Sequence, residues 1–250
     1  MLGVCLAGGY GKRLLPWTSN NNKHLAPIYS EKDGAVPMLH YPITTLKNSG
    51  IDEILIISSR EHSGNIIEHM GDGEEFGVKL TYKIQEMDRS PTGIAQALKL
   101  AEHFIGDQNF AVILGDNFYE DVFSEEVRDF DSDSSEDHSA IFIKEVHDPE
   151  RFGVATIRED TNSVIEIEEK PLEPKSNYAV TGLYFYTPSV FDVLPTLKPS
   201  GRGELEITDV NNWYVRSQTM DAFVLNGFWH DMGTPHSMLR TQQFINRVKR

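Results

Sequence analysis

Apolar residues along the chain fall into short runs separated by polar turns, and the pattern of those runs changes midway. In the first half, Leu2 to Ala7, Glu53 to Ser59, Lys79 to Gln85 and Asn109 to Gly115 read as strands. The second and fourth are dense in Ile, Val and Leu, as expected of parallel strands covered on both faces. Between them apolar positions recur at helical spacing. Leu39, Ile43 and Leu46 share one face despite Pro42, and Ile94, Leu98, Ala101 and Ile105 form a cleaner one. Strands alternating with helices predict a Rossmann-like α/β fold, doubly wound around a mostly parallel or mixed sheet. Its active crevice is expected beyond the carboxyl ends of the strands.

The second half has a different rhythm. Ser139 to Val146, Gly153 to Ile157, Val164 to Glu169 and Ala179 to Tyr186 look like strands without full crossover helices between them. That spacing predicts mixed or antiparallel pairing, a smaller antiparallel flank over the active-site cleft rather than a linker-separated domain. Helical signals return at Ser189 to Leu197 and Glu204 to Val215, followed by a short strand at Ala222 to Leu225 and an amphipathic helix from His236 onward.

Composition narrows the picture. At 250 residues the chain can bury a full core, and its 39% hydrophobic content is ordinary for a soluble protein. No stretch approaches the roughly eighteen apolar residues of a membrane span, and no export signal is visible, so a cytoplasmic location without membrane partners is expected. The single cysteine, Cys5, lies in the first strand and reads as a small buried hydrophobe. A formal charge of -15 argues against a nucleic-acid partner, but not against small phosphates. A local patch of Arg13, Lys23 and Lys170 can hold a nucleotide, with magnesium neutralising the remaining charge. Part of the acidity lies in Asp129 to Asp137, which reads as a solvated loop.

Candidate chemistry gathers where strands end. Behind the first strand, Gly8, Gly9 and Gly11 let the backbone approach an anion, with Arg13 and Lys23 supplying positive charge; a structural turn is the competing reading. The turn matches neither the dinucleotide fingerprint, since Leu14 stands where a third glycine belongs, nor the P-loop. Asp116 ends the fourth strand and can ligate magnesium or cap a turn. Asp231, in Trp229-His230-Asp231-Met232-Gly233-Thr234, can complete the ion's oxygen coordination or cap the helix that follows. Trp229 suits a sugar wall or the core. Glu169 and Lys170 close another strand before Pro171, which ends regular pairing and allows both side chains into the cleft; an exposed ion pair is the alternative.

Taken together, several segments resemble the sugar-nucleotidyltransferase family, and within it the thymidylyl subgroup. They are Leu6-Ala7-Gly8-Gly9-Tyr10-Gly11-Lys12-Arg13-Leu14 with Pro16, Lys23 to Pro27, Pro37-Met38, Leu114-Gly115-Asp116-Asn117, Asp148 to Val154, Ile167 to Pro171, Glu173 to Tyr184 and Arg202 to Asp209. The resemblance spans nearly the whole chain. It implies the nucleotide-diphospho-sugar transferase fold in a single domain, 1–250, with a nucleotide-binding part over approximately 1–117, a sugar-phosphate-binding part over approximately 138–235, and a C-terminal helix at 236–250.

The resemblance also implies an enzyme that transfers a thymidylyl group from dTTP to glucose 1-phosphate, releasing pyrophosphate, with Mg2+ as cofactor. The product, dTDP-glucose, stands at the head of dTDP-rhamnose and related deoxysugar pathways. By this resemblance Arg13 contacts the triphosphate, Lys23 the phosphates of both substrates, and Asp116 and Asp231 carry the metal. Leu6, Gly8, Gly9, Gly11, Gln85 and Gly93 border the nucleotide; Gly153, Glu169, Lys170, Val180 and Trp229 border the sugar phosphate. A homo-oligomer, dimer or tetramer, is implied. A uridylyltransferase using UTP and a non-catalytic nucleotide-sugar sensor are the alternatives.

Three segments depart from the family pattern. His24 stands where many longer relatives have Gln, so one contact to nucleotide is expected to differ. Ser30 to Val36 adds residues before Pro37-Met38, and Glu86 to Thr92 lengthens the connection between Gln85 and Gly93 at the base-recognition edge.

Overall fold

A computed structural model describes residues 1–9, 11–86, 91–133, 135–158 and 163–248. The strands of the first half are β1 (Leu2–Ala7), β2 (Pro27–Ser30), β3 (Gly34–Pro37), β4 (Glu53–Ser59), β5 (Lys79–Gln85), β6 (Phe110–Leu114) and β7 (Asn117–Tyr119). Those of the second are β8 (Ser139–Glu145), β9 (Gly153–Ile157), β10 (Val164–Glu169), β11 (Tyr178–Tyr186), β12 (Met220–Val224) and β13 (Trp229–Asp231). By internal contacts the chain forms two units. One comprises Gly3–Met87, Ile113–Val127 and Gly227–Arg250; the other comprises Met1–Leu2, Asp88–Val112 and Arg128–Asn226.

The first unit is built on parallel strands. β1 pairs with β4 from Gly3↔Ile54 to Ala7↔Ser58, and β4 pairs with β5 from Glu53↔Lys79 to Ser59↔Gln85. Every residue of β1 is buried, and β4 is buried from Ile54 to Ser59. The carboxyl ends of β1 and β5 therefore open at Ala7 and Gln85 on the same edge. Gly115 N donates to Leu6 O at 2.9 Å, bringing the residues after β6 to that edge. The helix His40–Asn48 buries Ile43 and Leu46, and its Pro42 falls in the first turn, where no amide partner is needed. β7 pairs antiparallel with β13, setting Asn117 opposite Asp231 and Tyr119 opposite Trp229.

Two elements of this unit escape the apolar pattern. Residues 30–36 are the turn and second strand of the β2–β3 hairpin, paired from Pro27↔Pro37 to Ser30↔Gly34. The hairpin is tied to the last helix, Pro235–Val248, because Gln242 and Asn246 side-chain oxygens accept from Tyr29 N and Glu31 N. Ile28, Met38, Phe118, Met232 and Ile245 form a common core.

The second unit is antiparallel except at its edge. β10 pairs with β9, β9 meets β11 at Val154↔Ala179, β11 pairs with β8, and β12 joins β8 in parallel. The helix Ile207–Ser217 packs on β10, where the Asn212 side chain binds both backbone groups of Ile167 at 3.0 and 2.7 Å. This is the mixed α/β class that the hydrophobic pattern predicts.

The expected helix over Ile94 to Ile105 is three short pieces, Ile94–Leu98, a 3-10 turn at Lys99–Ala101, and Glu102–Ile105. The acidic run is corrected: Asp129 to Ser132 belong to the helix Ser124–Ser132 rather than to a loop. Phe123, Val127 and Phe130, at helical spacing, are buried, and that burial outweighs the charge on the opposite side. Residues 87–90, within the proposed base-edge insertion, lie outside the described residues, as does Tyr10. No described helix is long and apolar enough to cross a membrane.

Candidate active site

The glycine-rich turn leaves β1 at the carboxyl edge of the parallel strands. Gly11 has φ +59°, and a Cβ there would come within 2.8 Å of Thr18 Cγ2 and 3.0 Å of Lys23 Cβ. Thr18 Oγ1 donates to Gly11 O at 2.9 Å, and Leu14 N donates to the same oxygen at 2.8 Å, closing the Lys12–Leu14 turn. Arg13 is thereby held with its side chain 58% exposed, open to an anion. Gln85, the last residue of β5, is buried with Oε1 3.0 Å from where a Gly8 Cβ would stand. Leu6 is buried in β1, and its carbonyl accepts from Gly115 N at 2.9 Å.

Four charged residues converge beside this turn. Lys23 Nζ lies 2.5 Å from Asp116 Oδ2, with side-chain exposures of 15% and 12%. Asp116 Oδ1 accepts from Asn117 Nδ2 at 3.2 Å. Asp231 reaches the cluster through the β7–β13 register, and Met232 N donates to Asp116 O at 2.7 Å. Asp231 Oδ1 accepts from Gly233 N at 2.5 Å, while Oδ2 stands 4.0 Å from Arg13 Nη2. A Cβ at Gly233 would fall 2.6 Å from Arg13 Nη2 and 2.7 Å from Asp231 Oδ1, so the glycine makes room for the pair.

Burial alone would raise the Asp116 carboxyl, but the Lys23 ammonium, first among the opposing causes, acts with His24 and the hydrogen bonds from Lys23 and Asn117 to hold the group well below the usual carboxylate range. Asp231 is raised, first by burial and then by the negative charge of Asp116. Two carboxylates that feel each other, both offering hard oxygen donors, suit a divalent cation that takes its remaining ligands from water and phosphate. No group of three or more potential ligands occurs among the described residues.

Supporting residues here carry no strong sequence signal. His24 is 1% exposed, and Asn22 Oδ1 accepts from its backbone amide and lies 2.7 Å from Nδ1. Its ring fills the space a Gly115 Cβ would need, 2.8 Å from Cδ2. Burial, then the charge of Lys23, lowers its pKa to about 3, so the imidazole is neutral. His24 is thus a buried wedge between Lys23 and Gly115. Trp229 is also buried, and its indole N–H donates to Asn117 Oδ1 at 2.7 Å.

In the other unit, Glu169 ends β10 opposite Gly153. Its Oε1 lies 2.8 Å from Lys170 Nζ and 3.1 Å from Arg202 Nη2, and its Oε2 accepts from Thr208 Oγ1 at 2.6 Å. Lys170 has φ +46°, a left-handed conformation that breaks strand alternation and lets the two neighbouring side chains meet. Burial works to raise Glu169, but Lys170, Thr208 and Arg202 together hold it below its ordinary value. Val180 is buried in β11, paired with Ile143. Gly93 packs against Leu205, whose O would lie 2.5 Å from a Cβ at this position. Thr208 and Arg202 fall within a quoted motif, yet their link to Glu169 arises only once the helix Ile207–Ser217 docks on β10.

The nucleotidyl transferase family model matches residues 2–248. The chain is 40% identical over 253 residues to the glucose-1-phosphate thymidylyltransferase of Neisseria meningitidis, covering 100% of this chain and 84% of that protein. It is 40% identical over 250 residues to the enzyme of the same name from Xanthomonas campestris pv. campestris, covering 99% and 81%. A crystal structure from Bacillus anthracis, named as a candidate glucose-1-phosphate thymidylyltransferase in complex with sucrose, superposes with a TM-score of 0.89 at 44% identity, covering 98% of this chain and 95% of that one.

Proposed function

The chain belongs to the nucleotidyl transferase family, and on that premise we propose that it transfers a thymidylyl group from dTTP to glucose 1-phosphate, yielding dTDP-glucose and pyrophosphate. The observation that carries this reading is about 40% identity, over essentially the whole chain, to relatives that bear this activity in their names. The chemistry of the cluster beside the glycine-rich turn agrees with it.

Glucose 1-phosphate needs no strong base, because a phosphate monoester loses its second proton at about pH 6. Its oxygen attacks the α-phosphorus of dTTP in line, and pyrophosphate leaves. Arg13, mostly exposed beside the turn, binds the triphosphate and stabilises charge on the leaving group. Lys23 offsets repulsion between the two anions and orients the attack. The two carboxylates, Asp116 and Asp231, hold Mg2+, which when bound supplies Lewis-acid charge neutralisation at the phosphates. Gln85, Leu6 and the turn glycines border the nucleotide, with Gly93 at the base edge. Lys170 binds the acceptor phosphate, and Glu169 accepts from sugar hydroxyls, with Gly153, Val180 and Trp229 bordering the sugar. A homo-oligomer completes the reading.

The test is a substrate matrix. Purified protein with magnesium is offered dTTP, UTP, CTP, ATP and GTP, each against several hexose 1-phosphates, and pyrophosphate release is followed. Preferential turnover of dTTP with glucose 1-phosphate is expected. A preference for UTP rejects the thymidylyl assignment while keeping the chemistry, and folded protein with no turnover on any pair rejects the enzyme.

A further inference from the structure

The two candidate metal carboxylates are engaged in different ways. Asp231 meets a backbone amide and stands 4.0 Å from the exposed Arg13 guanidinium. Asp116, by contrast, already has its charge matched by an ammonium in contact, with Lys23 Nζ 2.5 Å from Oδ2 and both side chains largely withdrawn from water. Its other oxygen accepts from Asn117. A divalent cation approaching Asp116 must therefore displace this ammonium or sit beside it, and in a half-desolvated site like-charge repulsion is strong.

We propose that Lys23 guards Asp116 against the free divalent ion. The ammonium holds the carboxylate oxygen that the ion needs, and gives it up when the phosphates of a nucleotide offer the lysine new charge-assisted partners. This rests on the reading of Asp116 and Asp231 as metal carboxylates. It follows that ion and nucleotide enter together, each tightening the other by the same factor, since coupling between two ligands is reciprocal. Lys23 is thus more than a phosphate anchor. It keeps the pair of carboxylates from binding the ion before there is a triphosphate to act on, and it arrives at the phosphates as the ion arrives at Asp116.

Removing Lys23, a residue of the site, must then improve metal binding. Mn2+ serves as the probe, with free ion measured by electron paramagnetic resonance during titration of the wild-type chain, Lys23→Met and Lys23→Gln, all without nucleotide and each checked for folding by circular dichroism. Both variants are expected to bind Mn2+ more tightly than wild type, on the order of tenfold, because an opposing charge has been removed from a poorly screened site. Equal or weaker binding by the folded variants overturns the proposal. Two further chains separate this failure from failure of the metal assignment. Asp116→Asn in the Lys23→Met background is expected to abolish the gained affinity; a gain that survives places the ion elsewhere and overturns both readings. If Lys23→Met shows no gain while Asp116→Asn alone abolishes wild-type Mn2+ binding, the guard is overturned and the metal assignment stands.

Discussion

Asp116 and Asp231 reach the same cluster from segments more than a hundred positions apart, and each is held by a backbone or side-chain partner that does not depend on its charge. Asp231→Asn is therefore expected to leave the fold largely intact, and Asp116→Asn to keep the fold at a cost in stability, since it leaves the largely buried Lys23 ammonium without its carboxylate. Each should slow pyrophosphate release by about a hundredfold or more and raise the magnesium needed for half-maximal rate. Near-parental rates at low magnesium in both variants would remove the metal role. In the other unit, the Thr208 hydroxyl fixes one oxygen of Glu169 at 2.6 Å while Lys170 and Arg202 hold the other. Thr208→Val keeps the shape and removes the donor, so KM for glucose 1-phosphate is expected to rise about tenfold, with dTTP use little changed, and Thr208→Ser to restore it. Steady-state kinetics with each substrate varied in turn reads this directly; a uniform loss toward both substrates would mean a purely structural hydroxyl.

Elements meet at places where one atom too many is costly. The end of β6 approaches β1 only because Gly115 leaves space for the His24 ring, and an added Cβ would also lie 3.1 Å from Leu6 O. Backbone cannot yield as a flexible side chain does, so Gly115→Ala is expected to cost about 1 to 3 kcal/mol in urea unfolding. A second junction joins the helices His40–Asn48 and Ser63–Met70 through His40 Nε2 and His69 Nε2, 2.8 Å apart. Burial, and then the charge of His69, lowers the His40 pKa to about 4. The unfolded chain takes up that proton near pH 6.5 while the folded chain resists it, so this contribution to stability is complete above pH 6.5 and is lost as pH falls toward 4. The difference in urea midpoint between pH 7 and pH 5 is expected to shrink in His40→Gln; an unchanged difference would show that His40 is not among the groups responsible.

At the scale of the whole molecule, much was legible in order along the chain. The bounds of β1, β4, β5, β9 and β10 coincide with the runs read from the sequence; in β1 and β4 this is because a strand buried on both faces writes its length directly in apolar residues. The β2–β3 hairpin was not legible: its Pro27, Tyr29 and Ala35 face outward, and its partner is the helix Pro235–Val248, two hundred positions away. The strands β7 and β13 are three residues each, too short for any periodicity to register. Of the candidate site, the sequence supplied the residue types, their position at strand ends and the family. Identity along the chain is enough for that, since the order of short motifs is itself the signal. Distances were another matter. The contact of Lys23 with Asp116, the neutral wedge of His24 and the clasp of Thr208 on Glu169 each join segments far apart in sequence, and a one-dimensional pattern records no separation in space. Sequence alone determined the α/β class, the glycine-rich turn and the carboxylates available for a cation. Only the tertiary structure decided which of those carboxylates already holds an ammonium, because electrostatic coupling depends on ångströms and burial, and both are set by packing.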